Sequence, residues 1–272
     1  MNWNKLQNGS DIRGVAIDGV EGEELNLTAE VVNTIAKSFV KWLKQNTAKK
    51  NISVAVGTDS RISGPELKKA FVGGVSSMGA EVFDCKMAST PAMFMTTVNH
   101  ESPVTGGVMI TASHLPFNRN GLKFFTKDGG LNKSDISSIL EIAEAGKFED
   151  SVQQGKVSTW DFIDIYSDFL VNYICKGANN KDNYHEPLKG LKIIVDAGNG
   201  AGGFFASKVL TKLGAITKGS QFLEPDGNFP NHVPNPEDKE AMASICSAVK
   251  NTKADLGIIF DTDVDRSAIV DK

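Results

Sequence analysis

Only three of the 272 residues are cysteines, Cys85, Cys175 and Cys246, widely separated and odd in number. No C-x-x-C pair occurs, so neither a structural zinc site nor a disulfide framework is expected, and the three read as buried free thiols in a reducing compartment. Basic residues are not in excess either: 29 Lys and Arg stand against 33 Asp and Glu, a net charge of -4. That balance argues against a nucleic-acid scaffold, which carries a basic stripe, while leaving room for a local basic pocket around a small anion. No run of about 18 apolar residues appears, and the opening MNWNKLQNGSDIRG has no apolar signal-peptide core. A soluble, cytoplasmic protein with no membrane partner is expected.

What is present suits a globular fold. The chain is 40% hydrophobic and 23% charged, and its length allows two domains, each with its own core. A strand near Ile12–Ile17 precedes a helix N-capped by Thr28, in which Val31, Ile35, Phe39 and Trp42 recur at helical spacing. A buried strand over Ile52–Gly57 ends in GTDSRISG, and Pro65 opens a helix with Leu67, Phe71, Val75 and Met78 on its buried face. Strands follow at Ala80–Cys85, at Gly106–Ala112 and in LKFFT. Turns fall at Ser89-Thr90-Pro91 and Asp128-Gly129-Gly130, and a helix covers Ser134–Ala145.

The stretch Glu149–Ser158 (EDSVQQGKVS) reads as a linker, and Asp161–Lys176 is amphipathic. From Leu191 a second unit begins: strand LKIIVDA, turn GNGAGG, a helix and a strand near Ala215–Lys218. The proline-rich loop EPDGNFPNHVPNPE follows, then a helix with Ala241, Ile245 and Ala248 on one face, then strand ADLGIIFD. The alternation predicts an α/β fold class: two consecutive α/β/α sandwich domains with mixed sheets, residues 1–157 and 158–272. The last strand, Ser267–Val270, should lead onward, so truncation of a longer chain is expected.

The sharpest feature is Asp261-Thr262-Asp263-Val264-Asp265-Arg266, placed directly after an apolar strand. Ligands of open α/β sheets sit beyond the carboxyl ends of strands. Three carboxylates so close together repel unless a cation is present, and ligation by oxygen alone favours Mg²⁺ over Zn²⁺. The plain alternative is a solvated acidic turn. An EF-hand would need Gly and Glu where Arg266 and Lys272 stand, and that reading fails. A haloacid-dehalogenase-type phosphatase also begins with D-x-D after a strand, but it prefers an apolar residue where Asp265 stands.

The second feature is Thr111-Ala112-Ser113-His114-Leu115-Pro116, also at a strand end, followed by Asn120-Gly121-Leu122-Lys123. Ser113 could be a turn residue, or it could hold a phosphoryl group. A base is then needed nearby, and Lys123 and His114 are both available. A third motif, Gly198-x-Gly200-x-x-Gly203, fits the dinucleotide-binding pattern after a strand and before a helix. Alone that pattern is weak, and the favoured reading is a tight strand-to-helix turn whose glycines permit close packing. His100 and His185 sit in polar, surface-like stretches, and His232 in the proline-rich loop has no assigned role.

DIRG (Asp11–Gly14), TASHLPFNRNGLKFF, VDAGNGAGG, EPDGNFPNHVPNPE and DTDVDR occur in this order along the chain. Together they give a sequence that resembles the α-D-phosphohexomutase superfamily, in its phosphomannomutase/phosphoglucomutase group, over essentially all 272 residues. The resemblance implies four domains around one cleft. Residues 1–157 match the phosphoserine-loop domain and 158–272 the metal-loop domain, and the family's domains 3 and 4 have no counterpart. It implies that Ser113 carries a phosphate and that Asp261, Asp263 and Asp265 bind Mg²⁺, with an oxygen of the Ser113 phosphate completing the site. Arg13 and Arg266 match arginines near the phosphoserine, Lys123 a general acid/base, and His114 a neighbouring active-site histidine.

The activity implied is interconversion of hexose 1-phosphate and hexose 6-phosphate, on mannose or glucose, through a bound 1,6-bisphosphate. The alternative is a Mg²⁺-binding phosphoprotein fragment that turns over weakly or not at all. Departures from the family pattern are Thr262 and Val264 where Gly and Ala are usual, Leu115 for Asn, and Thr58 for Arg. Sugar preference and oligomeric state are not legible in these residues.

Overall fold

A computed structural model describes residues 2–99 and 103–272, so the reading of His100 falls outside the described residues. The chain forms two compact units, Met1–Trp160 and Asp161–Lys272.

The first unit is built on an eight-stranded mixed sheet. Its strands are β1 (Gln7–Asn8), β2 (Asp11–Val15), β3 (Ser53–Thr58), β4 (Glu81–Met87), β5 (Gly106–Ile110), β6 (Arg119–Thr126), β7 (Gly129–Gly130) and β8 (Val157–Thr159). Its helices are α1 (Ala29–Asn46), α2 (Gly64–Ser77), α3 (Thr90–Val98) and α4 (Lys133–Ala145). The order is β1-β2-β6-β5-β3-β4-β8, with β7 on β6. β3 is parallel to both β4 and β5, whereas β6 is antiparallel to β5 and β2. Thr28 caps α1 by accepting from the Val31 amide, and Ser89 caps α3 in the same way, so the expected turn at Ser89-Thr90-Pro91 is a helix start.

Two adjacent glycines show how the layers form. A Cβ on Gly106 would stand 2.7 Å from the Phe39 ring of α1, and one on Gly107 would stand 2.8 Å from the Met93 carbonyl of α3. Successive strand residues face opposite ways, so α1 and α3 lie on opposite faces of the sheet. Val32, Ile35, Phe39 and Leu43 of α1 are fully buried against Phe71, Val108, Phe124, Ile136 and Ile139. The chain therefore leaves β3 through α2 on one face to β4, and returns through α3 on the other face to β5. β3 and β5 end side by side, one continuing toward β4 and the other toward β6, which makes their ends a topological switch point.

The second unit has a three-stranded sheet of β9 (Ile193–Asp196), β10 (Leu256–Phe260) and β11 (Ser267–Asp271), with α5 (Phe162–Ala178) and α6 (Lys239–Thr252). β9 and β10 are parallel, and β11 is antiparallel to β10. Ile193 and Val195 face a cluster with Ala206, Leu210 and Phe260, while Ile194 faces α6 through Ala241, Ile245 and Val249. This too is an α/β/α sandwich.

Three local readings differ from expectation. The helix after GNGAGG is wound as a π-helix over Phe205–Leu210. The segment near Ala215–Lys218 forms no full strand but touches β9 through isolated bridges, Lys192 with Ile216 and Asp196 with Gln221. Two residues of the supposed linker, Val157 and Ser158, belong to β8, which runs parallel to β4 at the edge of the first sheet. Its three residues are too few to carry a periodic signal.

Candidate active site

The serine loop begins where β5 ends. Ser113 is 3% exposed and holds a left-handed backbone, φ 54°, a conformation that costs an L-residue roughly 1–2 kcal/mol. Its surroundings hold it there. The Ser113 amide donates to Thr111 Oγ1 at 2.8 Å, and that hydroxyl donates to Asp59 Oδ2 at 2.6 Å. Arg61, 1% exposed, donates through Nη2 to the Ser113 and Leu115 carbonyls, each at 2.5 Å, and through Nη1 to the Pro116 and Arg119 carbonyls at 2.7 and 2.9 Å. Arg61 Nε lies 3.4 Å from Asp59 Oδ2. Ser113 Oγ stands 3.4 Å from His114 Nδ1.

β2 and β6 supply the flank of this loop. Residues directly opposite in a sheet share a face. Arg13 is opposite Gly121, and Lys123 is opposite Met109. Residues 121 and 123 share a face as well, so Arg13 and Lys123 project together, on the α3 side. Gly121 is required there: a Cβ would press into the Ile12 carbonyl and meet the Thr111 carbonyl at 2.9 Å and Arg13 Cγ at 3.0 Å. Arg13 pairs with Asp11 at 3.0 Å, and Lys123 is 8% exposed. Glu23 holds the far end of the loop, accepting from Asn118 at 2.6 Å and from Arg119 at 2.6 and 3.0 Å. The Arg119 and Asn118 hydrogen bonds keep its carboxyl below the usual range.

In the second unit the acidic loop follows β10 and packs on the glycine turn that follows β9. Gly200 lets the two backbones meet, since a Cβ would lie 2.6 Å from the Thr262 carbonyl, and the Ala201 amide donates to that same oxygen at 2.8 Å. Gly203 likewise abuts the Leu223 carbonyl, where a Cβ would come within contact distance of backbone. Protein fills the space that the dinucleotide reading would give to a pyrophosphate, so the glycines serve close packing.

Asp261, Asp263 and Asp265 bring carboxylate oxygens within 4.8 Å of one another; the first two are buried and the third is exposed. Asp261 Oδ1 accepts from the Asp265 and Arg266 amides, each at 3.1 Å, while Oδ2 accepts from Arg266 Nε at 3.1 Å and Nη2 at 2.9 Å. One arginine thus offsets part of the acidic charge, and with the two amides it fills the four lone-pair sites of Asp261, so a cation bound to that carboxylate would displace one of these donors. The Thr262 hydroxyl between the aspartates is buried without a hydrogen-bond partner among the described residues. An all-oxygen donor set with no His or Cys suits a hard divalent cation. Val264 adopts φ 64°, which is unusual for a β-branched residue.

His232 acquires a role that the sequence did not reveal. It is 8% exposed, and its Nε2 faces both oxygens of the buried Asp196 at 3.0 and 3.1 Å, while Nδ1 faces the Val233 carbonyl at 2.9 Å. With an acceptor at each nitrogen, the ring is satisfied as imidazolium. Burial opposes that charge, but the Asp196 hydrogen bond, the Val233 carbonyl and the charges of Asp196 and Asp238 outweigh it and raise the pKa. The pair pins the proline-rich loop to the end of β9. From that loop Asn235 accepts from Arg266 Nη1 at 3.2 Å, so the loop also steadies the acidic turn. His185 is exposed, as expected.

The structure therefore gathers Ser113, His114, Lys123 and Arg13 in one unit, and Asp261, Asp263, Asp265 and Arg266 in the other. Asp59, Arg61, Asp196, His232 and Asn235 were not singled out as site residues. The available signal for the first two was a buried-strand ending, GTDSR, with an acid and a base two residues apart.

The matches to known proteins follow the same two-part division. Residues 4–150 match the family model described as phosphoglucomutase/phosphomannomutase, alpha/beta/alpha domain I, and residues 166–272 match domain II of the same family. The chain is 36% identical over 227 residues to a phosphoglucomutase of Neisseria gonorrhoeae, covering 83% of this chain and 46% of that protein. It is 34% identical over 260 residues to a phosphomannomutase/phosphoglucomutase of Pseudomonas syringae pv. tomato, covering 96% of this chain and 50% of that protein. A crystal structure of a phosphoglucomutase/phosphomannomutase family protein from Burkholderia thailandensis superposes with a TM-score of 0.79 at 29% identity, over 97% of this chain and 54% of that one. The chain thus spans about half the length of the relatives it matches. With both family models covering most of its length, the chain belongs to the phosphoglucomutase/phosphomannomutase family.

Proposed function

We propose that this chain is the phosphoryl-carrying and metal-holding half of a hexose-phosphate mutase, in which Ser113 accepts and returns the phosphoryl group. The observation that carries the reading is the Ser113 backbone, left-handed and tied at both flanking peptide groups just beyond the end of β5. Such a loop fixes both peptide planes beside a hydroxyl, as in-line transfer demands.

In the proposed cycle, phosphorylated Ser113 gives its group to the free hydroxyl of a glucose or mannose phosphate. The Oγ–P bond breaks as the new O–P bond forms. The hydroxyl proton passes to Lys123 or His114, whichever is uncharged and within reach, and the departing Oγ takes up a proton in return. The resulting 1,6-bisphosphate reorients, and Ser113 Oγ gives up its proton to the same base as it takes back the other phosphoryl, the departing sugar oxygen recovering a proton. Arg13 offsets charge on the equatorial oxygens. In the second unit Asp261, Asp263 and Asp265, with Arg266 beside them, would hold Mg²⁺, which when bound neutralises phosphoryl charge.

A coupled assay for interconversion of glucose 1-phosphate and mannose 1-phosphate with their 6-phosphates, run on this chain and on any longer chain that carries it, tests the reading. Turnover that is lost on Ser113→Ala supports it, and no turnover in either chain overturns it. The coverage of about half of each relative favours a second reading for the 272 residues alone: they exchange phosphate at Ser113 and bind the cation but isomerise sugars weakly or not at all. Full activity of the short chain overturns that second reading.

A further inference from the structure

We infer that Arg61 and the Asp59–Thr111 pair are positioning residues for phosphoryl transfer, holding Ser113 in its reactive backbone conformation without touching substrate. The inference rests on the reading of Ser113 as the phosphoryl acceptor.

Both peptide groups that flank Ser113 are tied to buried side chains. On the N-terminal side, the Ser113 amide is held by Thr111 Oγ1, which is itself held by Asp59. On the C-terminal side, the Ser113 carbonyl is held by Arg61 Nη2. The same guanidinium gathers the carbonyls of Leu115, Pro116 and Arg119, so one planar group sets the path of the loop from 113 to 119. Asp59 closes the circuit: its Oδ1 accepts the Arg61 amide at 3.0 Å, and its Oδ2 lies 3.4 Å from Arg61 Nε. Asp59, Arg61 and Thr111 are all at most 2% exposed, so substrate cannot reach them in this arrangement.

Arginine is needed because a guanidinium spreads its donors in a rigid fork, whereas the lysine ammonium is a point donor that cannot serve four carbonyls. A left-handed serine gains nothing locally from that backbone. With either hold released, the loop can relax to an ordinary conformation and displace Oγ. A displacement of the order of 1 Å at a reacting atom lowers rate by about 100-fold.

The test uses the full chain and three variants, Arg61→Lys, Thr111→Val and Thr111→Ser. Phosphate uptake from glucose 1,6-bisphosphate is followed by intact-mass spectrometry, amide hydrogen exchange over residues 112–119 is measured, and melting is recorded alongside. Arg61→Lys and Thr111→Val are expected to take up phosphate about 100-fold more slowly per folded molecule, with exchange accelerated in that loop but not in the second unit. Thr111→Ser, which keeps the hydroxyl, is expected to restore the wild-type rate. Folded Arg61→Lys that takes up phosphate at the wild-type rate, with unchanged loop exchange, overturns the inference.

If Arg61→Lys does not fold, Thr111→Val decides by the same two readouts. If the wild-type chain itself takes up no phosphate, the reading of Ser113 as acceptor falls. The exchange measurement still judges the hold: unchanged protection of 112–119 in both variants overturns it, and selective loss sustains it.

Discussion

Two non-glycine residues with left-handed backbones, Ser113 and Val264, sit in the two loops that the proposal makes reactive. At Ser113 the strain can be isolated by comparing two variants that both lack Oγ. Ser113→Gly should be more stable than Ser113→Ala by about 0.5–1 kcal/mol, the left-handed cost of a Cβ less the greater unfolded-chain freedom of glycine. Chemical denaturation of the pair checks this, and equal stabilities would mean that the backbone is not strained. At Arg61 the expected effect is larger. Arg61→Met leaves Asp59 buried without its counter-charge and strips a donor from four carbonyls, so a loss of about 3–5 kcal/mol is expected in a denaturation midpoint. Arg61 escaped the sequence reading because an arginine after a strand end looks like a surface residue. Only the tertiary return of residues 113–119 around it makes it a core residue.

The elements were legible wherever one face is apolar over several turns or residues. Thr28, Pro65 and the stripe Ile35–Phe39 mark helices whose burial the structure bears out. β8 and the bridges at Ile216 and Gln221 were not legible as drawn, since their pairing is set by neighbours rather than by periodicity. The site motifs were legible as strand ends; the holds behind them, which come from other strands and loops, were not. At β6, Gly121→Ala should be destabilising by about 1–3 kcal/mol, because its Cβ would press on the Ile12 and Thr111 carbonyls, which cannot move without parting β2 and the end of β5 from β6.

The loop that carries His232 should make the second unit sensitive to pH. The folded pKa of His232 is raised above its ordinary 6.5, so its stabilisation is complete below about pH 6.5 and is lost as pH rises through the raised value. Stability measured from pH 6 to 9 should fall in the wild type relative to His232→Gln, and parallel curves would contradict this.

At the scale of the molecule, the same construction occurs in each unit. In the first, β3 and β5 end side by side, with Asp59 and Arg61 after one and Ser113 after the other. In the second, β9 and β10 end side by side, with the glycine turn after one and the acidic turn after the other. No helix among the described residues is long and apolar enough to cross a membrane. If the acidic turn binds Mg²⁺ in the native state alone, the second unit should gain about 2.7 kcal/mol at a hundredfold excess over Kd. Asp263→Asn should abolish that gain in a melting experiment.

The central claim, that Ser113 is the group that carries phosphate, is tested most directly by the mass of the intact chain before and after incubation with glucose 1,6-bisphosphate and Mg²⁺. The account predicts the gain of a single phosphate, located on Ser113 and absent from Ser113→Ala. No gain in the wild type, or a gain that persists in Ser113→Ala, would contradict it.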